Sequence, residues 1–287
     1  MGKRWKRIKR EIISFFIKSL IKFLNKLPIF FLKYFLKMLS IFSYFTLKKF
    51  KKIGIWTLKT VGFKKGVLKE YFKKTFEFCF DFLVVYKNGE KIEELVKVKG
   101  EEVLLKKFEK KKGVLVLTLH LGLWELIPIY FKRKNYPVNV VVSRVYTEEI
   151  DNIINEFRKK ENINVIYRNE AIKIIKALKN GECVGILIDQ YFKGKNIKTS
   201  FFGKEIFIPE GPFLIAYKIK PEVVIMGIWK EKDKYIIEIK DFEFKGDKKM
   251  DAKNIMENFE KWIRKNPSQW TWIHDRFGYL RKWKNLR

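Results

Sequence analysis

Three strand-like segments of the sequence are each followed by residues that can do acid–base or ion-binding chemistry. These residues are His120 and Glu125 after the segment at 113–119, Ser143 and Arg144 after the segment at 138–142, and Asp189 and Gln190 after the segment at 184–188. In a parallel sheet the carboxyl ends of neighbouring strands share one edge, where ligands collect. The pattern therefore predicts that a base, carboxylates and a cation lie on one edge of a sheet.

His120 and Glu125 are the residues with the clearest chemical potential. They lie five positions apart, which on one regular helix would separate them by about 140°. They can meet if His120 lies in a strand-to-helix turn and Glu125 one turn into the helix, with Gly122 supplying backbone freedom. A histidine in such a pair can take a proton from a hydroxyl, while the carboxylate holds the imidazole tautomer. The alternative is a structural histidine beside Trp124.

The segments around these residues predict an α/β fold with a central, mostly parallel sheet flanked by helices. Near-continuous Val, Ile and Leu runs at 113–119, 138–142, 184–188 and 223–228 indicate buried strands, and 235–239 alternates like a more exposed strand. Helical patterns lie at 124–132, 147–160, 170–180 and 211–219. We expect one α/β domain at 61–287, preceded by an amphipathic helical segment at 1–60.

The N-terminal segment carries much of the excess charge. The chain has 63 Lys and Arg against 32 Asp and Glu, a net charge of +31, and residues 3–69 hold nineteen cations and a single acid, Glu11. An anionic partner is expected from this balance. The same stretch is rich in Phe, Ile and Leu, which is atypical of nucleic-acid-binding tails. We therefore expect an anionic membrane surface as the partner and no nucleic acid.

The spacing of the lysines predicts how this segment meets a membrane. If residues 12–47 are helical, five lysines fall within about 100° of one another, and most of the remaining surface is apolar. These lysines are Lys18, Lys22, Lys26, Lys33 and Lys37. Pro28 is expected to break or kink the run. Helices lying in the headgroup plane fit best, while a tilted span at 27–47 and packing on the protein's own core remain open.

Two cysteines and two histidines leave little basis for a metal site. Cys79 and Cys183 lie in apolar runs without a Cys or His neighbour at ligand spacing, which predicts small buried residues in a reducing compartment. No metal and no organic cofactor are expected.

At this point the sequence resembles a known family. The blocks that carry the resemblance, in chain order, are His120-x4-Glu125, Val142-Ser143-Arg144, Asn155-Glu156-Phe157-Arg158, the apolar strand ending in Asp189-Gln190, Phe201-Phe202-Gly203 with Pro209-Glu210-Gly211-Pro212, and Trp270-Thr271-Trp272-Ile273-His274-Asp275-Arg276. They resemble the late lauroyl/myristoyl acyltransferases of lipid A biosynthesis, within the lysophospholipid acyltransferase superfamily. The broad superfamily usually carries His-x4-Asp, so Glu125 points to the lipid A branch. Gly278 stands where the family pattern has a basic residue.

The resemblance implies a reaction and a site. A fatty acyl chain would pass from a thioester, by resemblance that of acyl carrier protein, to a hydroxyl of a lipid A precursor at the cytoplasmic face of the inner membrane. His120 would be the general base, oriented by Glu125. Backbone N–H groups near Gly122, together with Arg144, would receive the oxyanion. The residues implied in substrate binding are Arg144, Arg158, Asp189, Gln190, Gly203, Glu210 and Gly211.

Structural alternatives exist for these residues: an ion pair for Arg144, a solvated side chain for Arg158, a helix cap or ion pair for Asp189 and simple packing for the tryptophan block. Two other functions also stay open. One is acyl transfer from acyl-CoA to a phospholipid or a phosphatidylinositol mannoside-like glycolipid. The other, of a different class, is a non-catalytic basic protein that binds membrane or nucleic acid.

Overall fold

The structure, a computed structural model, describes residues 3–88, 92–144, 148–191 and 194–278. The helices are α1 Lys3–Lys26, α2 Ile29–Thr46, α3 Lys48–Thr60, α4 Gly66–Asn88, α5 Ile92–Leu95, α6 Glu101–Glu109, α7 Leu126–Arg133, α8 Glu148–Lys160, α9 Ala171–Lys179, α10 Gly211–Ile219 and α11 Lys248–Lys265. The strands are β1 Val96–Lys99, β2 Val114–Thr118, β3 Val138–Val142, β4 Asn164–Tyr167, β5 Cys183–Leu187, β6 Asn196–Phe201, β7 Lys204–Pro209, β8 Glu222–Glu231 and β9 Lys234–Asp241.

Seven of these strands form one sheet in the order β1-β9-β8-β2-β5-β3-β4, and β6 and β7 form a separate hairpin. All neighbouring pairs in the large sheet are parallel except β8 with β9. Helices flank the sheet, and alternate residues of each strand enter the two core layers on its faces. The predicted α/β fold with a mostly parallel sheet is confirmed.

The central strands follow the apolar runs in the sequence, while the edges of the sheet do not. β2, β3, β5, β8 and β9 lie where strands were predicted. The expectation that 235–239 forms a more exposed strand is wrong, because β9 is paired on both sides and four of the five residues at 235–239 are buried. Its outer neighbour is β1, a four-residue strand that the sequence pattern did not indicate.

The first two helices of the N-terminal segment are separated at Pro28, as the sequence predicts. α1 ends at Lys26 and α2 begins at Ile29. Lys87 of α4 donates hydrogen bonds to the carbonyl oxygens of Leu24 and Leu27, at 2.9 and 3.0 Å. A cation at this position satisfies carbonyl groups that the end of a helix leaves without partners. The Lys87 side chain therefore ties the end of α1 to α4.

α2 buries a narrow stripe against α4 and exposes the rest of its surface. The buried stripe consists of Leu32, Leu36, Ser40 and Ser43. Beside the exposed Lys33 and Lys37, the exposed side chains of α2 are largely apolar and mostly aromatic, and they include Phe30, Phe31, Tyr34, Met38, Ile41, Phe42 and Phe45. Among the described helices α2 is the one long and apolar enough to cross a membrane. Because α2 packs on α4, contacts cross the domain boundary expected at residue 60.

Candidate active site

His120 lies at the carboxyl edge of the sheet, two residues after β2. The chain turns there through Gly122, whose φ of +58° lies in the left-handed region. A side chain at that position would approach the carbonyl oxygen of Ile228 to within 2.5 Å, so both the space and the dihedral angle favour glycine. The carbonyl oxygen of His120 accepts a hydrogen bond from the backbone N–H of Thr271 at 3.2 Å. The turn is thus fixed by the C-terminal segment.

Two details of this turn differ from the sequence-based expectation. α7 begins at Leu126, so Glu125 lies at the helix cap and not one turn into the helix. The backbone N–H of Gly122 donates to the carbonyl oxygen of Gln269 at 2.9 Å and is therefore not free to receive an oxyanion. Both differences arise because the segment after His120 follows the C-terminal chain, to which Leu121 is bridged at Trp270, before it enters the helix.

The carboxylate on the His120 ring is that of Asp189. Asp189 lies just after β5, which is the neighbour of β2 in the sheet, and its Oδ1 is 2.6 Å from Nδ1 of His120. Its other oxygen, Oδ2, accepts hydrogen bonds from Nε1 of Trp270 and Nη2 of Arg276, both at 2.9 Å. Nε of Arg276 also donates to the Asp189 backbone oxygen at 2.6 Å. Donors therefore surround this buried carboxylate on several sides.

The charges around Asp189 keep it ionised despite its burial. Burial alone would raise the pKa of the Asp189 carboxyl, but the charges of His120 and Arg276 and the hydrogen bonds hold that pKa well below its usual range. Burial lowers the pKa of Arg276, against the attraction of Asp189. Because the Asp189 carboxylate stays an acceptor, it selects the neutral tautomer of His120 that carries its hydrogen on Nδ1 and its lone pair on Nε2.

Glu125 pairs with Arg158. Nη2 and Nε of Arg158 donate to the two carboxylate oxygens of Glu125 at 2.5 and 3.3 Å, and Nη1 donates to Oδ1 of Asn155 at 3.1 Å. The sequence-based assignment of Glu125 as the carboxylate on the histidine ring is therefore corrected, because Asp189 occupies the Nδ1 contact. Arg158 is only 13 % exposed at its side chain, so it is not a solvated charge.

An apolar cavity of about 70 Å³ opens beside this ion pair and extends along the sheet beneath α7. Glu125, Arg158 and Thr118 line it, together with side chains of α7 and of β3, β5 and β8. The Thr118 hydroxyl is buried and has no hydrogen-bond partner among the described residues. Gly185 contributes no side chain, and a Cβ built there would meet only the carbonyl oxygen of Asn139, at 3.8 Å. The space next to Gly185 is thus left open.

Arg144 lies on the predicted edge of the sheet but points towards the far strand. It follows β3, which is separated from β2 by β5. Its guanidinium lies over the ring of Tyr167 on β4, 5.1 Å from the ring centroid. The structure thus places Arg144 on the same edge as His120, on the side that is remote from β2.

Of the remaining predicted site residues, Gln190 is half-buried and follows Asp189 directly. Gly203 forms the turn between β6 and β7 with a φ of +67°. Glu210 accepts a hydrogen bond from Nζ of Lys248 at 2.8 Å, and Gly211 is the first residue of α10. Gly203 is linked to the site through its neighbours, because Phe201 packs against the indole ring of Trp270. The Glu210 carboxylate forms an ion pair with α11.

Two residues that hold Asp189 were not among the predicted site residues. Trp270 and Arg276 belong to the C-terminal block, which was interpreted as packing, although an arginine within an apolar, tryptophan-rich segment signals a buried carboxylate partner. His274 lies in the same block, but no carboxylate orients its ring in the described structure. Burial, with a contribution from Arg276, lowers its pKa to about 4, and its Nδ1 has no partner in the described structure. The described residues also contain no group of three or more His, Cys, Asp or Glu placed to hold a metal.

Comparison with known proteins identifies the family. A family model described as bacterial lipid A biosynthesis acyltransferase matches residues 3–278. Because the match covers nearly the whole chain, the protein belongs to this membrane-associated acyltransferase family, as the resemblance of its motifs predicted. A search of curated proteins gives no match.

Proposed function

We propose that this family member transfers a fatty acyl chain from the thioester of acyl carrier protein to a hydroxyl of a lipid A precursor. The observation that carries the proposal is the contact of 2.6 Å between His120 Nδ1 and Asp189 Oδ1. The His120 ring also packs against the ring of Trp124, with centroids 4.9 Å apart, and Trp124 lines the apolar cavity beneath α7. A base next to an apolar cavity suits a reaction that joins a hydroxyl to a hydrocarbon-bearing carbonyl.

His120 acts as the general base in this reaction. Its Nε2 takes the proton of the acceptor hydroxyl as that oxygen attacks the thioester carbonyl carbon. The tetrahedral intermediate collapses, the carbon–sulfur bond breaks, and the leaving sulfur takes the proton back from the imidazolium. The products are an ester and the free carrier thiol, and no external oxidant or reductant is needed.

Asp189 positions the imidazole for this step. By accepting from Nδ1 it selects the tautomer that leaves Nε2 unprotonated, and its negative charge stabilises the imidazolium that forms. Trp270 and Arg276 fix the carboxylate from the opposite side. These four residues replace the pair of His120 and Glu125 that the sequence motif alone indicates.

Arg158, held in place by Glu125, is proposed to stabilise the thioester oxygen during the reaction. Three of the five N–H groups of the Arg158 guanidinium are used by Glu125 and Asn155, which leaves two, and Arg158 lines the cavity. Such donors can stabilise the negative charge that develops on the thioester oxygen. Arg144, farther along the same edge, is assigned to a phosphate of the acceptor, a group that a guanidinium binds through paired hydrogen bonds. Gln190, Gly203, Glu210 and Gly211 remain proposed substrate-binding residues by resemblance.

The N-terminal helices seat the enzyme on the cytoplasmic face of the inner membrane. The exposed aromatic face of α2 supports this placement, since such a surface is rarely left in water. Residues 1–60 form the membrane segment in this proposal and residues 61–287 the catalytic domain. Cytoplasmic placement gives access to acyl carrier protein, an acidic donor that suits a strongly basic chain.

The proposal is tested by incubating the purified full-length protein with a panel of donors and acceptors and identifying the products by mass. Donors are acyl carrier proteins and coenzyme A thioesters of several chain lengths, and acceptors are a lipid A precursor, phospholipids and a phosphatidylinositol mannoside. We expect ester formation with acyl carrier protein and the lipid A precursor. Product only from coenzyme A and a phospholipid or glycolipid would support the alternative acyltransferase. No product in any combination would favour the non-catalytic binder.

A further inference from the structure

A second, larger cavity lies away from His120, between α2 and α4, with a volume of about 520 Å³. Its lining is mainly aromatic and aliphatic, and the rings that α4 contributes are those of Phe72, Phe76 and Phe80. Phe72 is buried, whereas Phe76 and Phe80 are half-buried and open towards the cavity. We call this feature the α2–α4 groove. Its apolar lining suits a hydrocarbon chain.

Four lysines stand at the rim of the α2–α4 groove. Lys33 and Lys37 lie four residues apart on α2, and Lys69 and Lys73 lie four residues apart on α4. Residues at this spacing share one face of a helix, so each helix presents a pair of ammonium groups to the same groove. All four side chains belong to exposed residues.

The two carboxylates of the groove leave three of these four lysines without an ion pair among the described residues. Glu77 is engaged by Lys74 at 2.8 Å and by Lys230 at 3.1 Å. Glu70 approaches only Lys73, at 3.8 Å, and both of these side chains are more than half exposed. In the described part of the chain, Lys33, Lys37 and Lys69 have no ion pair with a carboxylate. The groove therefore combines an apolar floor with uncompensated positive charge.

We propose that the α2–α4 groove is a binding site for a phospholipid of net negative charge. Its phosphate lies among the four lysines and one acyl chain lies on the phenylalanine floor. The oxygens of a phosphate can contact several ammonium groups at once. An exposed apolar face on α2 beside the groove brings the site to the headgroup level of a bilayer, where lysines attract anionic lipid. The inference does not depend on the proposed acyl transfer.

The test measures lipid retention by the purified full-length protein in neutral detergent, using native mass spectrometry. The ligands are phosphatidylglycerol, the zwitterionic phosphatidylcholine, and oleate as a carboxylate amphiphile. The groove variant carries Lys33→Gln, Lys37→Gln, Lys69→Gln and Lys73→Gln. The matched control carries Lys48→Gln, Lys49→Gln, Lys52→Gln and Lys59→Gln, which removes the same charge from exposed positions of α3.

We expect the wild type and the control to retain one phosphatidylglycerol molecule per protein. The fraction of the groove variant that retains this lipid should be lower by a factor of about ten or more. Each lysine pair changed alone should give an intermediate loss, which keeps the test valid if the fourfold variant is unstable. Equal loss in the control would mean non-specific charge attraction and would overturn the proposal. Equal retention of phosphatidylcholine would overturn the role of the lysines, and equal retention of oleate would overturn the preference for phosphate.

Discussion

At the scale of single residues, the site is organised around Asp189. Its carboxylate contacts a histidine, an indole and a guanidinium, and each contact comes from a chain segment distant in sequence. An ionised carboxylate with this many donors is both a structural anchor and an electrostatic partner for His120. An experiment on Asp189 therefore has to separate the effect of removing its negative charge from the effect of disturbing its packing.

Replacing Asp189 by Asn tests its role as the positioning residue. The amide keeps the shape but can donate to Nδ1, which favours the tautomer with the proton on Nε2. We expect kcat to fall by about 10²- to 10⁴-fold with little change in KM for either substrate. The measurement is steady-state kinetics with thermal unfolding as a check of the fold. Asp233→Asn, in the exposed turn between β8 and β9, is the matched control.

Retention of wild-type kcat in a folded Asp189→Asn protein would contradict the assignment. A rise in KM with kcat preserved would instead indicate a substrate contact.

Glu125 and Arg158 are expected to act as one unit. Glu125→Gln and Arg158→Gln each leave a partly buried charge without its partner, whereas the double variant removes both. The free energy of unfolding should therefore show a coupling between the two positions of about 0.5–3 kcal/mol. A double-mutant cycle followed by chemical denaturation measures it.

The matching cycle between His120→Ala and Glu125→Gln should give the smaller coupling energy. The reverse order would restore Glu125 as the direct partner of His120 and would contradict the geometry described for this pair.

The sequence predicted the residue types of the site better than their pairing. His120, Glu125, Arg144 and Asp189 follow apolar strands, so their common edge could be inferred from strand patterns alone. Which carboxylate meets Nδ1 depends on the strand order β2-β5-β3 and on the C-terminal segment, and neither is encoded in local periodicity. The five-residue spacing of His120 and Glu125 suggested that these two side chains pair with each other. In the structure α7 begins only at Leu126, His120 contacts Asp189, and Glu125 contacts Arg158.

At the scale of elements, the surroundings of β5 determine what the site can hold. Gly185 lies in the middle of this strand, and the space where its side chain would lie is part of the cavity beneath α7. Elsewhere in the sheet, at Gly227, a Cβ would approach the ring of Trp262 to within 2.6 Å, so that glycine serves close packing. Gly185 differs, because the absence of a side chain there leaves space in the cavity.

Gly185→Leu is expected to shorten the acyl chain that the enzyme accepts. The Cβ of the added side chain would meet no atom closer than the Asn139 carbonyl oxygen at 3.8 Å, and the rest of the side chain would occupy the cavity. The fold should therefore persist while long-chain donors lose affinity. Competition between acyl donors of different length, read out by product mass, measures the change. Gly66→Leu at the exposed start of α4 is the control, since no atom lies within 4 Å of its Cβ position. An unchanged product profile for Gly185→Leu would exclude this cavity as the acyl site.

The strand patterns in the sequence indicate the central strands but not the edge strands β1 and β4 or the hairpin of β6 and β7. Buried strands with apolar runs, such as β2 and β5, were predicted because both of their faces are covered. β1 and β4 have four residues each and lie at the sheet edges, where short strands leave a weak pattern. The hairpin of β6 and β7 has few continuous apolar residues, and its stability comes from packing against α11 and Trp270.

At the scale of the whole molecule, positive charge and exposed apolar surface are combined in the N-terminal part of the chain. Residues 3–69 combine nineteen cations with the exposed aromatic face of α2. Charge attraction to an anionic bilayer is screened by salt, whereas insertion of aromatic side chains is not. The two contributions to membrane binding are therefore separable.

High salt is expected to release only part of the protein from vesicles that contain phosphatidylglycerol. The remainder should need detergent, because the apolar face of α2 stays inserted when the electrostatic attraction is screened. Sedimentation of vesicles over a range of salt concentrations gives the bound fraction. Complete release by salt alone would show that the attachment is purely electrostatic and would argue against a membrane-seated α2.

The proposed role of His120 as the base of an acyl transfer is tested by single-turnover measurement on His120→Ala. Purified wild-type and variant proteins, both shown to be folded, receive acyl carrier protein loaded with acyl chain and a lipid A precursor in excess. Product ester and freed thiol are followed by mass over time. We expect both products to appear together in the wild type and His120→Ala to form them at least about 10²-fold more slowly. Equal rates in the two proteins would contradict this role.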